Sequence, residues 1–89
     1  MLATETAVKQ ALASTLNFSD ISEIRSEHRL RDDLQLDSMS SLMFLMKLEE
    51  SIDGFYVDPE TLKMQDLETV STVTNYINTQ MLNRDINVH

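Results

Sequence analysis

The scarcity of turn-forming residues is the strongest constraint on the fold of this chain. Its 89 residues include a single glycine, Gly54, and a single proline, Pro59. A β-sheet protein of this length would need several tight turns, and such turns draw heavily on glycine and proline. Apolar residues make up 42% of the chain, which is enough to build one small core. The composition therefore predicts a single domain made of helices.

Apolar residues recur at helical spacing in two segments of the first half of the chain. Residues 4–16 predict an amphipathic helix with the core residues Val8, Ala11, Leu12 and Leu16. Residues 38–52 predict a second helix with the core stripe Leu42, Leu45, Leu48 and Ile52. Asp37 is expected to be its N-cap, and Gly54 suits the left-handed C′ position after its end. Residues 17–37 lack a sustained period, and their scattered apolar side chains predict a long ordered loop.

The second half of the chain contains two further helix signals. Asp58 followed by Pro59 pairs a capping residue with a favoured first helical residue, and predicts a short third helix that carries Leu62. Thr69 is expected to cap a last helix, with the apolar face Val70, Val73, Ile77 and Met81. Residues 83–89 show no periodicity, so we expect a domain over residues 1–82 and a frayed tail over 83–89. The predicted fold is all-α, a four-helix bundle of three main helices and one short helix, with a long first loop.

The chain is strongly acidic. It has 15 Asp and Glu residues against seven Lys and Arg residues, a formal net charge of −8. That charge predicts repulsion from nucleic acid and from anionic membrane surfaces, and attraction to basic protein surfaces. The alternative is that the charge only keeps a small domain soluble and monomeric. No apolar stretch approaches the roughly 20 residues that span a bilayer, and the N-terminus lacks a basic signal-peptide region, so we expect a cytosolic protein. We also expect a monomer, because the sequence shows no leftover apolar heptad seam and no cysteine that would suggest assembly.

The residue types needed for metal or nucleophilic chemistry are scarce. The chain contains no cysteine, which excludes disulfides, thiolate metal sites and a thiol nucleophile of its own. The two histidines, His28 and His89, are far apart in sequence. No stretch has the alternating oxygen ligands of a calcium-binding loop. We therefore expect no metal site and no catalytic residues.

Ser38 offers the most distinctive chemistry in the chain. It follows Asp37 and precedes Met39 in the run Leu34-Gln35-Leu36-Asp37-Ser38-Met39, at the expected start of the second helix. The backbone N–H groups of a helix start are unpaired and the helix dipole favours negative charge there, so a phosphate attached to this serine would be well accommodated. The simpler alternative is that Ser38 only caps the helix.

The wider pattern around Ser38 resembles the acyl and peptidyl carrier protein family. It reads Leu30-x-x-Asp33-Leu34-x-x-Asp37-Ser38-Met39, followed by Leu42, Leu45, Leu48-Glu49 and Ile52, and the resemblance extends to Tyr76-Ile77. It implies an acyl-carrier-protein-like fold without catalytic activity. It also implies that a separate transferase, using coenzyme A and Mg²⁺, attaches 4′-phosphopantetheine to Ser38. The arm would carry an acyl or aminoacyl group as a thioester, and the chain would need no metal of its own.

The resemblance also implies roles for residues near Ser38. Asp37 would meet the transferase or its Mg²⁺ besides capping the helix. Met39 and Met43 would be apolar contacts for partner enzymes, whereas the alternative places Met39 in the core. Basic patches of those partners, which include the transferase, loading ligases and downstream synthases, would dock on acidic residues that could otherwise be only a solvated face. These acidic residues are Glu49, Glu50, Asp58 and Glu60.

Several features depart from the carriers of fatty acid synthesis. The middle of the second helix is neutral, apolar or basic (Ser40, Ser41, Met43, Phe44 and Lys47), and we expect Lys47 to be exposed. Segments 54–57 and 62–67 also look longer than the fatty acid pattern. These features favour a free-standing carrier of a polyketide, nonribosomal peptide or related pathway. The alternatives are a housekeeping fatty acid carrier and a non-covalent acidic helical adaptor.

The methionines near the presumed cargo side have two interpretations. Met39, Met43, Met46 and Met64 are either flexible filler of a small core or the walls of a cavity that opens for an acyl chain.

Overall fold

The computed structural model of the protein describes residues 2–58 and 60–87, and the side chains of residues 4–58 and 60–82. Its elements in chain order are α1 (Leu2–Leu16), the 3₁₀ helix η1 (Ile21–Glu23), α2 (Ser38–Ser51), the 3₁₀ helix η2 (Met64–Leu67) and α3 (Val70–Asn87). The described residues contain no β-strand, and an isolated bridge joins Arg29 to Thr69. The predicted all-α fold with three main helices is confirmed.

The core lies where α1 packs against both α2 and α3. From α1 it takes Val8 and Leu12, and from α2 it takes Phe44 and Leu48, all four fully buried. The other large buried residues come from the loops and from α3: Ile24, Leu30, Leu34, Leu36, Phe55, Val70, Val73, Tyr76 and Ile77. The predicted core faces of the first and last helices are confirmed, with Leu16 and Met81 at the partly buried edge.

The long segment over residues 17–37 is an ordered loop, as predicted. The backbone N–H of Leu30 donates to the carbonyl of Glu68 over 3.0 Å, and the N–H of Val70 donates to the carbonyl of His28 over 3.2 Å. These bonds fasten the loop to the start of α3. They also hold the loop beside the N-terminus of α2.

The inward face of α2 differs from the predicted one. Leu42 was expected in the core but is 61% exposed, whereas Phe44 is fully buried. The predicted stripe steps by three residues, and a helix turns about 100° per residue, so Leu42 lies about 120° around the helix from Leu48. The true core face runs through Phe44 and Leu48, with Leu45 and Ile52 partly buried beside it.

The end of α2 is turned by Gly54, whose φ of 84° confirms the predicted left-handed conformation. Its position is one residue later than predicted, because Ile52 is the C-cap and Gly54 follows the C′ residue Asp53. The N–H of Phe55 donates to the carbonyl of Ile52 over 3.1 Å, which makes Gly54 the third residue of a β-turn. Positive φ at that position is a requirement of type II turns.

The predicted short helix from Pro59 is wrong in its position. The carbonyl of Asp58 accepts the N–H groups of Thr61 and Leu62, over 3.1 and 2.9 Å, so the segment after Asp58 forms only a turn. Pro59 itself lies outside the described residues. The short helix is η2, where the Asp66 carboxylate accepts the N–H of Lys63 over 2.9 Å and closes its first turn.

The last helix is longer than its periodicity suggests. α3 continues to Asn87, so the boundary predicted at residues 82 and 83 does not coincide with a helix end. Residues 88 and 89 of the predicted tail lie outside the described residues. The division into a domain and a frayed tail stays a prediction. Among the described residues, no helix combines the length and the hydropathy needed to cross a membrane.

Candidate functional site

Ser38 is the first residue of α2, and its side chain is exposed. The N-cap is Asp37, as predicted: its backbone is extended and its carboxylate accepts the N–H of Ser40 over 2.8 Å. The carbonyl of Asp37 accepts the N–H of Ser41, also over 2.8 Å, which begins the helical hydrogen bonding. The capping role at this helix is therefore filled by Asp37. Within the part of the chain that the structure describes, the Ser38 hydroxyl has no hydrogen-bond partner.

Two opposite charges lie near Ser38: the negative carboxylate of Asp37 and the partial positive charge at the N-terminal end of α2. Hydrogen bonds from Ser40, first from its backbone N–H and then from its side chain, hold the pKa of the Asp37 carboxyl below its ordinary value. Asp37 is consequently ionised at neutral pH. The N-terminal end of the 14-residue helix carries a partial positive charge and free N–H groups, which favour an anion on the neighbouring hydroxyl.

A groove of about 460 Å³ lies beside Ser38, between the first turn of α2 and η2. Ser38 and Ser41 line one side, and Met64 of η2 lies on the other. Two apolar residues, Leu30 and Leu67, also line the groove, and the remaining lining residues are Arg29, Arg31, Asp32, Asp37, Gln65 and Glu68. The volume is within the range of small-molecule sites, so the groove has room for a group attached to Ser38.

The outward face of α2 carries four large apolar side chains in a row. Their exposed fractions are 73% for Met39, 61% for Leu42, 51% for Met43 and 59% for Met46. The spacing of three, one and three residues places them on one helix face, opposite Phe44 and Leu48. We call these four residues the exposed stripe. It begins next to Ser38 and runs along the helix away from it.

The structure decides two questions of side-chain burial, one about the methionines and one about Lys47. The methionines are not core filler, because Met39, Met43 and Met46 are exposed on α2 and Met64 is 81% exposed on η2. A cavity that opens between them stays a prediction, although Met64 lines the groove. Lys47 was expected to be exposed and is partly buried. A lysine at the edge of a packed face covers apolar surface with its methylenes and keeps its ammonium in water.

Two of the four predicted acidic docking residues are bonded within the fold. The Glu49 side chain is partly buried and accepts the N–H of Val57 over 2.8 Å. Asp58 is also partly buried, and its carboxylate accepts the N–H of Glu60 over 3.0 Å. Glu50 and Glu60 are exposed. The four residues therefore do not form one free acidic surface, and their docking role stays a prediction.

Part of this surface was not predicted from the sequence. Leu42 was placed in the core and Met46 was given no surface role, although positions 39, 42, 43 and 46 have helical spacing of their own. The groove could not be found from local patterns, because it depends on how η2 lies opposite α2. Within the described residues, no three His, Asp or Glu side chains converge in a way that could hold a metal ion.

Comparison with known proteins identifies the family. A family model for the phosphopantetheine attachment site matches residues 6–77. The chain is 36% identical over 74 residues to an acyl carrier protein of Exiguobacterium sp., a match that covers 83% of this chain and 89% of that protein. It is 35% identical, with the same coverage, to an acyl carrier protein of Exiguobacterium sibiricum. The chain therefore belongs to the acyl carrier protein family, whose members carry a covalently attached 4′-phosphopantetheine group.

Proposed function

We propose that Ser38 is the attachment residue of 4′-phosphopantetheine, and that the chain carries an acyl or aminoacyl group for other enzymes without catalysis of its own. The main support for this proposal is that two different residues at the start of α2 provide the helix cap and the free hydroxyl. Asp37 supplies the cap, and the exposed hydroxyl of Ser38 is left without a hydrogen-bond partner in the described structure. A serine that served only as a cap would have its oxygen bonded to the first turn.

The residues around Ser38 fit a phosphodiester at this position. The N-terminal N–H groups of α2 and its dipole favour the negative charge of the phosphate. The Asp37 carboxylate, ionised and exposed, is suited to contact a Mg²⁺ ion brought by the transferase. The neighbouring groove gives the attached group a surface on which to rest. When bound, the group supplies the thiol that the polypeptide lacks.

We propose that the transferase binds to the exposed stripe. The enzymes that load and use the carrier would bind there afterwards. Any enzyme that modifies Ser38 must cover the start of α2, and the stripe is continuous with that point. Met39 and Met43 are the contacts that sequence analysis proposed, and Leu42 and Met46 complete the same face. Glu50 and Glu60 are the acidic residues best placed to meet basic groups, because Glu49 and Asp58 also bond within the fold.

The apolar character of this face supports a specialised pathway. A carrier that docks mainly by charge would present acidic side chains along the outward face of α2, and here that face holds methionine and leucine. We therefore propose a role in polyketide, nonribosomal peptide or related synthesis, with housekeeping fatty acid synthesis as the alternative. Cytoplasmic location remains part of the proposal. A monomeric state remains part of it too, although the exposed stripe makes self-association the alternative that sedimentation must test.

Intact-mass measurement tests the attachment residue. The chain is incubated with coenzyme A, Mg²⁺ and a broad-specificity phosphopantetheinyl transferase, and we expect a mass gain of one phosphopantetheine. Ser38→Ala should show no gain, whereas Ser40→Ala, which replaces a serine two residues later in the same helix turn, should be modified. A gain in Ser38→Ala would overturn the assignment of the residue. No gain in the unmutated protein would favour the acidic adaptor instead.

A loading assay separates the two pathway classes. The modified protein is offered to a malonyl-loading enzyme of fatty acid synthesis and to a panel of adenylating ligases. We expect faster loading by at least one of the ligases. Faster loading by the malonyl enzyme than by every ligase would favour the housekeeping alternative.

A further inference from the structure

The methionines of this chain are distributed unevenly over its surface. Four of the six (Met39, Met43, Met46 and Met64) are more than half exposed, and all four lie on α2 or across the groove from Ser38. Met81 is partly buried against the core. Met1 lies outside the described residues. The exposed thioethers are thus concentrated on the surface that an enzyme must cover to reach Ser38.

We propose that these four methionines are a site of reversible oxidation by hydroperoxides, and that their oxidation weakens the docking of the enzymes that act at Ser38. The inference rests on the proposed function of the exposed stripe. The methionine thioethers make that surface sensitive to oxidation, whereas leucine or isoleucine side chains would not. Because the polypeptide contains no cysteine, thioethers are the only oxidisable sulfur groups that it supplies itself.

The chemistry of the step is simple. A lone pair of the methionine sulfur attacks the terminal oxygen of the hydroperoxide, the O–O bond breaks and an S–O bond forms. The proton of the attacked oxygen moves to the departing oxygen. The sulfur is oxidised by two electrons, and the hydroperoxide is reduced to an alcohol, or to water when the oxidant is hydrogen peroxide. The product, methionine sulfoxide, is polar, and methionine sulfoxide reductases convert it back to the thioether.

Oxidation of these methionines should change the docking surface but not the fold. None of the four side chains belongs to the buried core, so their oxidation should leave the helices and their packing in place. The docking face, in contrast, would change from apolar to polar along most of its length. Leu42 alone would keep its apolar character within the exposed stripe.

The experiment uses the full chain before attachment of the arm, treated with hydrogen peroxide that is then removed with catalase. Peptide mass mapping should show that the four exposed methionines oxidise faster than Met81. The initial rate of phosphopantetheine transfer at low carrier concentration should fall by about tenfold, because a polar group that is desolvated at an interface without a partner costs binding. Circular dichroism should be unchanged, and treatment with sulfoxide reductases should restore the rate.

A leucine variant provides the matched control. The variant with Met39, Met43, Met46 and Met64 all replaced by leucine keeps an apolar face, and its transfer rate should not respond to peroxide. The inference is overturned if the four methionines oxidise no faster than Met81, or if they oxidise and the transfer rate of the unmutated protein stays the same. Failure of the untreated protein to accept the group would instead contradict the proposed function, so the two failures are distinguishable.

Discussion

The helices α1 and α2 are nearly equal in length, with 15 and 14 residues, but they use their apolar side chains differently. α1 buries Val8, Ala11 and Leu12 on one face, and it packs against both other main helices. Its outward positions Thr6, Gln10 and Ser14 are polar and exposed, and Glu5 pairs with Lys9 over 3.0 Å. Folding alone accounts for the side chains of this helix that the structure describes, those of residues 4–16.

α2 is apolar on two opposite faces. Its inward residues Phe44 and Leu48 are fully buried, and the exposed stripe lies on the other side. A helix that is apolar all round is normally buried all round, and exposed apolar patches of soluble proteins mark contact sites. The inward face of α2 therefore serves the fold, as α1 does, while its outward face needs a partner to explain it.

The largest expected effect comes from exchanging one residue on each face of α2. Phe44→Ala removes a fully buried ring and should lower the free energy of unfolding by about 3 to 5 kcal/mol. Met43→Ala, one residue earlier on the outward side, should change it by no more than about 0.5 kcal/mol. Urea denaturation followed by circular dichroism measures both values.

The same two variants also test whether the two faces of α2 have different roles. If Phe44→Ala does not fold, Phe44→Leu replaces it as the test of the inward face and should still lose more than Met43→Ala. Equal losses for the two faces would show that the outward face also contributes to folding, and α2 would then be no different in kind from α1.

A second pair of variants, Leu42→Ala and Leu45→Ala, separates effects on docking from effects on stability. Leu42→Ala should reduce the kcat/KM of the transferase roughly fivefold, because an exposed apolar contact of the docking face is lost, while stability stays nearly unchanged. Leu45→Ala, on the partly buried side, should lower the free energy of unfolding by about 1 to 2 kcal/mol and leave kcat/KM unchanged. An unchanged kcat/KM for Leu42→Ala would remove Leu42 from the docking surface.

The features that sequence patterns predicted well are those fixed by local chemistry. Asp37 was identified as the cap because an aspartate preceded a helical period, and the structure confirms it. The start of α2 at Ser38 follows directly from that cap. The chain's shortage of glycine and proline predicted helices correctly, because this argument does not depend on which residues meet across the core.

The features that sequence patterns missed depend on distant contacts. Apolar residues surround α2, so the pattern alone allowed a core face through Leu42 as easily as one through Phe44. The segment after Asp58 forms a turn, and the hydroxyl of Tyr76, from α3, lies 3.2 Å from the Asp58 nitrogen, which donates to it. The groove beside Ser38 is lined by the start of α2, by η2 and by loop residues 29–32, which are far apart in sequence. None of these contacts is visible in a local pattern.

The smallest expected effect concerns the cap that begins α2. The pKa of Asp37 is lowered in the folded protein by the N–H and side chain of Ser40, so its ionised form stabilises the fold. That contribution is present above the ordinary pKa of an aspartate and is lost as the pH falls through the lowered value. Asp37→Ala should therefore be less stable than the unmutated protein at neutral pH, and the difference should shrink as the solution becomes more acidic than that lowered pKa.

Urea denaturation at a series of pH values measures this difference, and Asp20 supplies a matched control. The pKa of Asp20 is also lowered, by the N–H and side chain of Ser22, but Asp20 caps the three-residue η1, which contains no buried residue. Asp20→Ala should therefore cost less at neutral pH than Asp37→Ala, although its pH dependence should have the same sign. A difference for Asp37→Ala that stays constant over the acidic range would show that the charge of the carboxylate does not hold α2 at its start. The position of the Ser38 hydroxyl would then depend on the packing of Phe44 and Leu48 instead of on its cap.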